Sequence, residues 1–387
     1  MKRANAVESR VLVLVTLGLV AFGLVMVYSA TSARSALANA DPMSYLKKQA
    51  AYAAIGVVLM MLAARFDYRR LRALAPTLVL VALFLCLAVL AIGTRVNGAR
   101  RWMTFGPATF QPSELAKLVL AVWIASYLAR RPPPRTLADL WRPIGMLVGV
   151  FCVLVLAEPD LGTVIAMVIV IGAVLLISGT PTRTFAAGSG ILATLALAAI
   201  MYAPYRRARF FSFLHPWHDS QGAGYQIVQG MISLASGGVF GVGLGNGVGK
   251  INYLPEAHTD MILAVIGEEL GLLGVTAVIA AFVAFAWAGL RVALRCKDPF
   301  GSRLATALVA LVCGQAVINL AAVLGMAPLT GIPLPFVSYG GSSLVVALAS
   351  VGILLNIAGR HAGTARASVP DRGRRDRRPR AAVASGR

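Results

Sequence analysis

The chain has 387 residues, of which 58% are hydrophobic and 13% carry a charge. A soluble domain usually has about 25% charged residues, so the composition excludes a soluble globular protein. The net charge of +21 would suit a nucleic-acid-binding protein, but the basic residues lie between apolar segments and in the C-terminal tail. That distribution excludes nucleic-acid binding and favours a membrane protein with a basic inner face.

Apolar segments of about 20 residues recur along the chain, and each is long enough to cross a hydrocarbon core of about 30 Å. In lipid, a single segment satisfies its backbone hydrogen bonds only as a helix. The sequence therefore predicts an all-α integral membrane protein, a polytopic bundle of about ten transmembrane helices. The predicted spans are residues 11–30, 48–64, 74–94, 113–129, 142–157, 160–178, 184–203, 260–290, 304–326 and 340–359.

Lysines and arginines are concentrated in three segments between predicted spans, residues 65–72, 130–142 and 291–303. By the positive-inside rule these loops lie in the cytoplasm, and an even number of spans then places both termini there. The expected organisation has three parts. It is a cytoplasmic N-terminus at residues 1–10, a transmembrane domain at 11–360, and a basic, disordered cytoplasmic tail at 361–387.

Residues 97–117 combine an Arg-rich segment with charges at the start of the fourth span. Pro112 and Ser113 predict a helix start, which places Glu114 and Lys117 three residues apart on one face. Charged groups inside a span normally face a protein interior or a water-filled cavity. The interpretation is a polar cavity that opens outward and binds phosphate; the alternative is a structural ion pair. The residues predicted to bind substrate here, beside Glu114 and Lys117, are Arg100, Arg101, Trp102, Gln111 and Ser113.

A long outer loop, residues 204–259, runs into the eighth span through the segment LPEAHTD at residues 254–260. Asp260 stands at the junction, where a carboxylate half-shielded from water can act as a general base. The alternative is an acid that interacts with the helix dipole. Glu268 and Glu269 lie deeper, and at least one of them is expected to pair inside the bundle.

Residues 331–343 are so dense in Pro and Gly that a continuous helix is excluded. Irregular backbone at membrane depth is tolerated where it lines a cavity, so this segment predicts a cavity wall rather than a plain turn. The glycine run at residues 241–250 lacks the spacing of a nucleotide-binding loop and is expected to be a hinge or a close-packing segment. No resident metal site is predicted from the cysteines and histidines.

Three blocks, residues 97–117, 225–271 and 319–343, resemble the SEDS family, which contains the FtsW, RodA and SpoVE proteins, over roughly residues 10–360. Residues 23–30 and 254–260 are typical of its FtsW branch. His215 departs from the acidic or amide residue expected there. The resemblance implies that Asp260 is the family's essential loop aspartate, and that Glu114 and Lys117 are its functional charged pair.

The resemblance also implies an activity, a location and partners. It implies a peptidoglycan glycosyltransferase that polymerises lipid II, a disaccharide-pentapeptide on undecaprenyl pyrophosphate, at the outer face of the bacterial inner membrane. The expected partners are a class B penicillin-binding protein with transpeptidase activity, other division proteins at the septum, and membrane lipids. The alternatives are a lipid II flippase and a non-catalytic scaffold that recruits a transpeptidase.

Inverting transfer from a diphosphate donor requires a base, cations at the leaving group, and a groove for the polyprenyl chain. Asp260 is the candidate base, and Lys117, Arg100 and Arg101 are the candidate pyrophosphate ligands. Glu114 is expected either to orient Lys117 or to bind a divalent cation, Mg²⁺ or Mn²⁺. The remaining predicted substrate contacts are His258, Ser338, Tyr339, Gly340, Gly341 and Ser342.

Overall fold

The apolar segments form helices because a helix satisfies every backbone polar group without water. The computed structural model describes residues 2–367 except residues 38, 40, 97, 107 and 252, and thirteen α-helices lie in this part of the chain. The helices are α1 Lys2–Leu37, α2 Ser44–Arg65, α3 Tyr68–Ile92, α4 Pro112–Leu128, α5 Leu137–Leu140, α6 Met146–Ala157, α7 Leu161–Ile177, α8 Thr182–Tyr202, α9 Pro204–Leu214, α10 Tyr225–Ser236, α11 Ile262–Arg295, α12 Pro299–Val323 and α13 Gly341–Ala367.

Eight helical segments of the described chain are long and apolar enough to cross a membrane: α1, α2, α3, the continuous unit Leu137–Ala157, α8, α11, α12 and α13. The two shorter helices α4 and α7, of 17 residues each, pack against α12 within the bundle. The predicted bundle of about ten helices is therefore confirmed, and the chain is an integral membrane protein. Helix α13 continues to Ala367; the rest of the predicted tail, residues 368–387, lies outside the described residues.

A small antiparallel sheet, which the sequence did not predict, follows α3. Its strands are β1 Thr94–Val96, β2 Ala99–Phe105 and β3 Ala108–Phe110, in the order β1-β2-β3. Ala99 and Met103 of β2 are buried because alternate residues of a strand face the same side. The all-α prediction holds for the bundle and misses this sheet, since two of its strands have only three residues.

The central helices pack closely where glycine replaces a larger side chain. Helix α2 lies along α13, and a Cβ added to Gly352 would collide with the Met60 carbonyl. Small residues allow helix backbones to approach in this way in a bilayer. Helix α11 is interrupted at Gly271, whose φ of 65° favours glycine and whose missing side chain leaves room for the Val239 carbonyl. The segment after α10 packs into this interruption.

The segments that follow α3, α6, α8 and α12 meet at one end of the bundle. Contacts among them connect the sheet to the α6–α7 turn, and the turn before α11 to the irregular segment before α13. This last segment is enclosed by protein, because its residues Leu334, Phe336 and Val337 are buried. The three sequence blocks are thereby brought to the same end of the molecule.

Candidate functional site

Asp260 lies two residues before α11, and only 8% of it is exposed. Its backbone carbonyl accepts a hydrogen bond from Nδ2 of Asn319 on α12, at 2.8 Å. The same amide nitrogen donates to the carbonyl of Ile332, also at 2.8 Å. Asn319 therefore fixes the turn that carries Asp260 to the Pro- and Gly-rich segment, because one buried amide serves both backbones.

The environment of Asp260 makes it a plausible proton acceptor. Burial raises the pKa of its carboxyl to about 6, and the nearby negative charge of Glu256 adds to this rise. The Arg209 guanidinium and the Thr259 hydroxyl, which donates at 3.3 Å, lower the pKa in part. A carboxylate that is mostly ionised at pH 7, yet holds a proton more readily than a free aspartate, suits general base catalysis.

An aromatic group stands next to Asp260. The His258 ring packs edge-on against Tyr45, with centroids 4.8 Å apart, and lies 5.5 Å from the Tyr339 ring. The Tyr339 backbone N–H donates to the His258 carbonyl at 2.8 Å. Two predicted substrate contacts, 81 positions apart in the chain, are thus neighbours. Ser338, by contrast, is buried, and its hydroxyl accepts a hydrogen bond from the Leu334 N–H within the turn.

A second polar cluster forms around the start of α4. Lys117 Nζ lies 2.7 Å from Glu114 Oε1, and both side chains are buried, as the spacing on one helix face predicted. Gln111 Nε2 donates to Ser113 Oγ at 3.0 Å and to Asp160 Oδ2 at 3.1 Å. The Gln111 backbone N–H donates to the hydroxyl of Ser342, at 3.2 Å. This cluster joins α4 to the α6–α7 turn and to the start of α13. The half-buried Gly340 and Gly341 precede Ser342, and a Cβ on Gly341 would collide with the Tyr52 ring.

Both predicted arginines hold helix ends. Arg100 Nη1 donates to the carbonyls of Leu90 and Ala91 at the end of α3, each at 3.1 Å. Arg101 donates through Nε to the Glu158 carbonyl at 2.8 Å and through Nη2 to the Pro159 carbonyl at 2.5 Å. Part of each guanidinium is therefore committed to backbone oxygens. Trp102, which follows them on β2, is half-buried, and its carbonyl accepts from the Thr94 hydroxyl.

The Pro- and Gly-rich segment stands between the two clusters. It contacts the Asp260 side through Tyr339 and the α4 side through Ser342. Within the described residues, no hydrogen bond or ion pair joins Asp260 to Lys117 or to the two arginines of β2. The cation that acts on Asp260 is Arg209, from α9. The predicted site is thus split into a carboxylate side and a cation side, with the segment as the wall they share.

A cavity of about 340 Å³ lies beside the carboxylate side, between α9, α10 and the turn before α11. Arg209 and Gln226 line it, together with Pro255 and Leu329. In the part of the chain that the structure describes, the buried Gln226 amide nitrogen has no hydrogen-bond partner. A buried N–H donor without an acceptor costs free energy, so this position is suited to bind a polar ligand that supplies the acceptor. Gln226 was not predicted as a site residue, although a glutamine next to the apolar residues of α10 was an available signal.

The predicted divalent cation, Mg²⁺ or Mn²⁺, stays a prediction, with Glu114 as its candidate ligand. Across the described parts of the chain, no three His, Cys, Asp or Glu side chains are grouped to hold a metal ion. The Glu114 carboxylate is already paired with the Lys117 ammonium. Of the two roles expected for Glu114, this ion pair favours orientation of Lys117.

Two further residues of the cation side were missed. Glu158 and Asp160 flank a proline in the turn between two apolar helices, where an acid is costly unless it has a role. Asp160 begins α7 and accepts hydrogen bonds from the backbone N–H and hydroxyl of Thr163, at 3.0 and 2.8 Å. Two acids separated by a single residue at a membrane surface were the available signal.

Comparison with known proteins gives consistent similarities. The model of the cell cycle protein family FTSW_RODA_SPOVE matches residues 9–362. A probable peptidoglycan glycosyltransferase FtsW of Geobacter sulfurreducens is 41% identical over 356 residues, which cover 91% of this chain and 95% of that protein. Stage V sporulation protein E of Bacillus subtilis is 36% identical over 352 residues, with 89% and 95% covered.

Solved structures agree with these relatives. A chain from a study of structural coordination of polymerization and crosslinking by a peptidoglycan synthase complex superposes with a TM-score of 0.76. It is 30% identical, and the match covers 90% of this chain and 97% of that one. The rod shape determining protein RodA of Thermus thermophilus gives a TM-score of 0.67 at 29% identity, covering 90% and 96%.

Proposed function

The chain belongs to the FtsW/RodA/SpoVE family of cell cycle proteins and is a peptidoglycan glycosyltransferase; we propose that it polymerises lipid II into septal glycan strands at the outer face of the bacterial inner membrane. The observation that carries this proposal is the Asp260 carboxyl. It is buried outside the spans, its pKa is raised to about 6, and Arg209, which acts on it, lines the adjoining cavity.

The proposed reaction is a single displacement. Lipid II carries its sugar α-linked to pyrophosphate and the polymer is β-linked, so one displacement inverts the anomeric carbon. The Asp260 carboxylate takes the proton from the acceptor hydroxyl while that oxygen bonds to the anomeric carbon. The bond from that carbon to the pyrophosphate oxygen breaks, and its electron pair leaves on undecaprenyl pyrophosphate. Asp260 then returns the proton to water.

The cation side is suited to the leaving group. Lys117 has ammonium donors beyond the one that Glu114 accepts, and Glu114 holds the ammonium in place. Ser113 and Arg101 lie on the same side and supply further donors to a diphosphate, while Gln111 holds Ser113 in place by donating to its hydroxyl. Electrostatic stabilisation of departing charge by fixed donors is a large contribution to catalysis in water-poor sites.

The proposed setting follows from the family. Both termini lie in the cytoplasm, so the end of the bundle that carries the site faces outward, where lipid II is consumed. A class B penicillin-binding protein is the proposed partner, since a structurally similar chain comes from a peptidoglycan synthase complex. Other division proteins and membrane lipids complete the proposed surroundings.

The test is polymerisation of purified lipid II by the full chain, with and without its cognate transpeptidase. Glycan strands that grow with time are expected, and the partner is expected to raise the rate. Movement of unaltered lipid II between leaflets without strand formation would contradict the proposal and favour a flippase. If the Asp260→Ala variant restored growth to a deletion strain, this result would contradict the proposal and favour a non-catalytic scaffold.

A further inference from the structure

Glu158, in the turn between α6 and α7, is fully buried, and neither oxygen of its carboxyl has a hydrogen-bond partner among the described residues. The Ser113 hydroxyl is close enough to lower the pKa of this carboxyl in part, although among the described residues it does not reach hydrogen-bond geometry to either oxygen. An ionised carboxylate without partners is very costly to bury, whereas a neutral carboxylic acid is tolerated. The geometry alone therefore favours the protonated form.

The charged and titratable groups around Glu158 reinforce this. Asp160 of the same turn contributes a negative charge, and Arg101 of β2 opposes it with a positive one. The Cys86 thiol of α3 faces the carboxyl, and Arg206 of α9 donates to the Leu156 carbonyl nearby. Burial is the main effect, and with Asp160 it raises the pKa of Glu158 to about 8.

The turn that carries Glu158 connects several parts of the proposed pyrophosphate site. Arg101 of the sheet donates to the carbonyls of residues 158 and 159. Asp160 accepts from Gln111, whose own backbone N–H donates to Ser342 of α13. A displacement of this turn would therefore move Arg101 and Gln111 together.

We propose that Glu158 is a positioning residue that works as a neutral carboxylic acid, and that its ionisation displaces the α6–α7 turn. The displacement withdraws Arg101 from the substrate and moves Gln111, which positions Ser113. Ionisation would bury a second negative charge in the same turn as Asp160, without a hydrogen bond to either oxygen. The effect of Glu158 on polymerisation rests on the proposed function, whereas its effect on stability does not.

The first test is the pH dependence of lipid II polymerisation by the full chain with its transpeptidase, from about pH 5.5 to 9.5. The wild-type rate is expected to fall above a pH of about 8. Glu158→Gln, a neutral isostere, is expected to move this alkaline decline upward by at least about one unit. Glu158→Ala is expected to lose at least about fivefold in rate at every pH, and Gln restores most of it.

A control separates this effect from surface charge. Asp41→Asn changes an exposed carboxylate that pairs with Lys47 in another outer loop, and it is expected to leave the alkaline decline unchanged. An alkaline decline at the same pH in wild type and Glu158→Gln would overturn the proposal. So would an equal shift in Asp41→Asn.

The second test needs no substrate. Because the folded pKa of Glu158 lies above its ordinary value of 4.5, its contribution to stability is lost as pH rises from there through about 8. The melting temperature of the wild type in detergent should fall over this range, with a shallower fall for Glu158→Gln. If the melting temperatures of wild type and Glu158→Gln fell equally steeply with pH, the proposal would be overturned even if polymerisation were normal. A slope that changes as expected, with no polymerisation by wild type at any pH, would refute only the proposed function.

Discussion

Two buried lysine–glutamate pairs lie in the bundle, and they differ in how fully their hydrogen bonds are used. Lys250 Nζ has three acceptors, namely Glu269 Oε1 at 2.5 Å, the Gly245 carbonyl at 2.8 Å and the Ser29 hydroxyl at 3.0 Å. Lys117 Nζ, among the described residues, donates to Glu114 alone, at 2.7 Å. An ammonium has three donors, so the first pair is complete and the second is open.

This difference separates a structural pair from a functional one. Around the complete pair, Glu268 accepts hydrogen bonds from the backbone N–H groups of Val248 and Gly249, so the glycine segment is locked onto α11. The open pair lies at the start of α4, beside Gln111 and Ser113. Burial and charge are alike in the two places; what distinguishes them is the number of donors left for a ligand.

The largest effect on stability is expected from a substitution that breaks the complete pair. Lys250→Met should lower the free energy of unfolding by about 3–5 kcal/mol, because it leaves the Glu269 carboxylate buried without its cation. Thermal unfolding in detergent measures this loss. Lys47→Met, which removes an exposed pair with Asp41, is the matched control and should leave the melting temperature unchanged. A melting temperature equally unchanged in Lys250→Met would contradict the structural assignment.

A sharper comparison removes both charges of each pair. Lys117→Met/Glu114→Leu should lower the polymerisation rate by at least about a hundredfold, roughly 2.7 kcal/mol, because the leaving group loses its cation. Lys250→Met/Glu269→Leu should retain the rate within about threefold, since buried pairs can be replaced by apolar residues. Both double variants should remain folded, which size-exclusion profiles and melting curves would show. Equal loss of rate in the two would mean that donor satisfaction does not distinguish them.

A smaller effect concerns the carboxylate side of the site. The acidic limb of the rate profile should follow the pKa of Asp260, about 6, because only the ionised form accepts a proton. Arg209→Met removes a cation and should move this limb to higher pH, whereas Glu256→Gln removes a negative charge and should move it lower. Each shift is expected to be less than about one pH unit. Shifts of the same sign in both variants would exclude Asp260 as the titrating group.

The sequence predicted what depends on local pattern. Each predicted span overlaps a helix because about twenty apolar residues leave the backbone no other option in lipid. Glu114 and Lys117 were predicted to share a face from their spacing of three, and they form a pair. The expectation that Glu268 or Glu269 pairs inside the bundle was also confirmed, for Glu269.

What the sequence did not reveal depends on contacts between distant residues. Lys250 falls within the predicted outer loop at residues 204–259, yet it is buried against Ser29, which lies 221 positions earlier. Glu158 falls between two predicted spans, 142–157 and 160–178, and nothing local shows that its carboxyl is enclosed by other helices. The grouping of Asp260 with Arg209 likewise needs the path of the long loop, which periodicity does not specify.

The central claim is that Asp260 accepts the proton during glycosyl transfer, and Asp260→Asn tests it most directly. Asparagine has nearly the same shape but cannot serve as the base, and it removes the need to bury a negative charge. In complex with the transpeptidase at about pH 7.5, lipid II polymerisation should fall at least about a hundredfold while the melting temperature does not decrease. A rate within about twofold of wild type would contradict the claim.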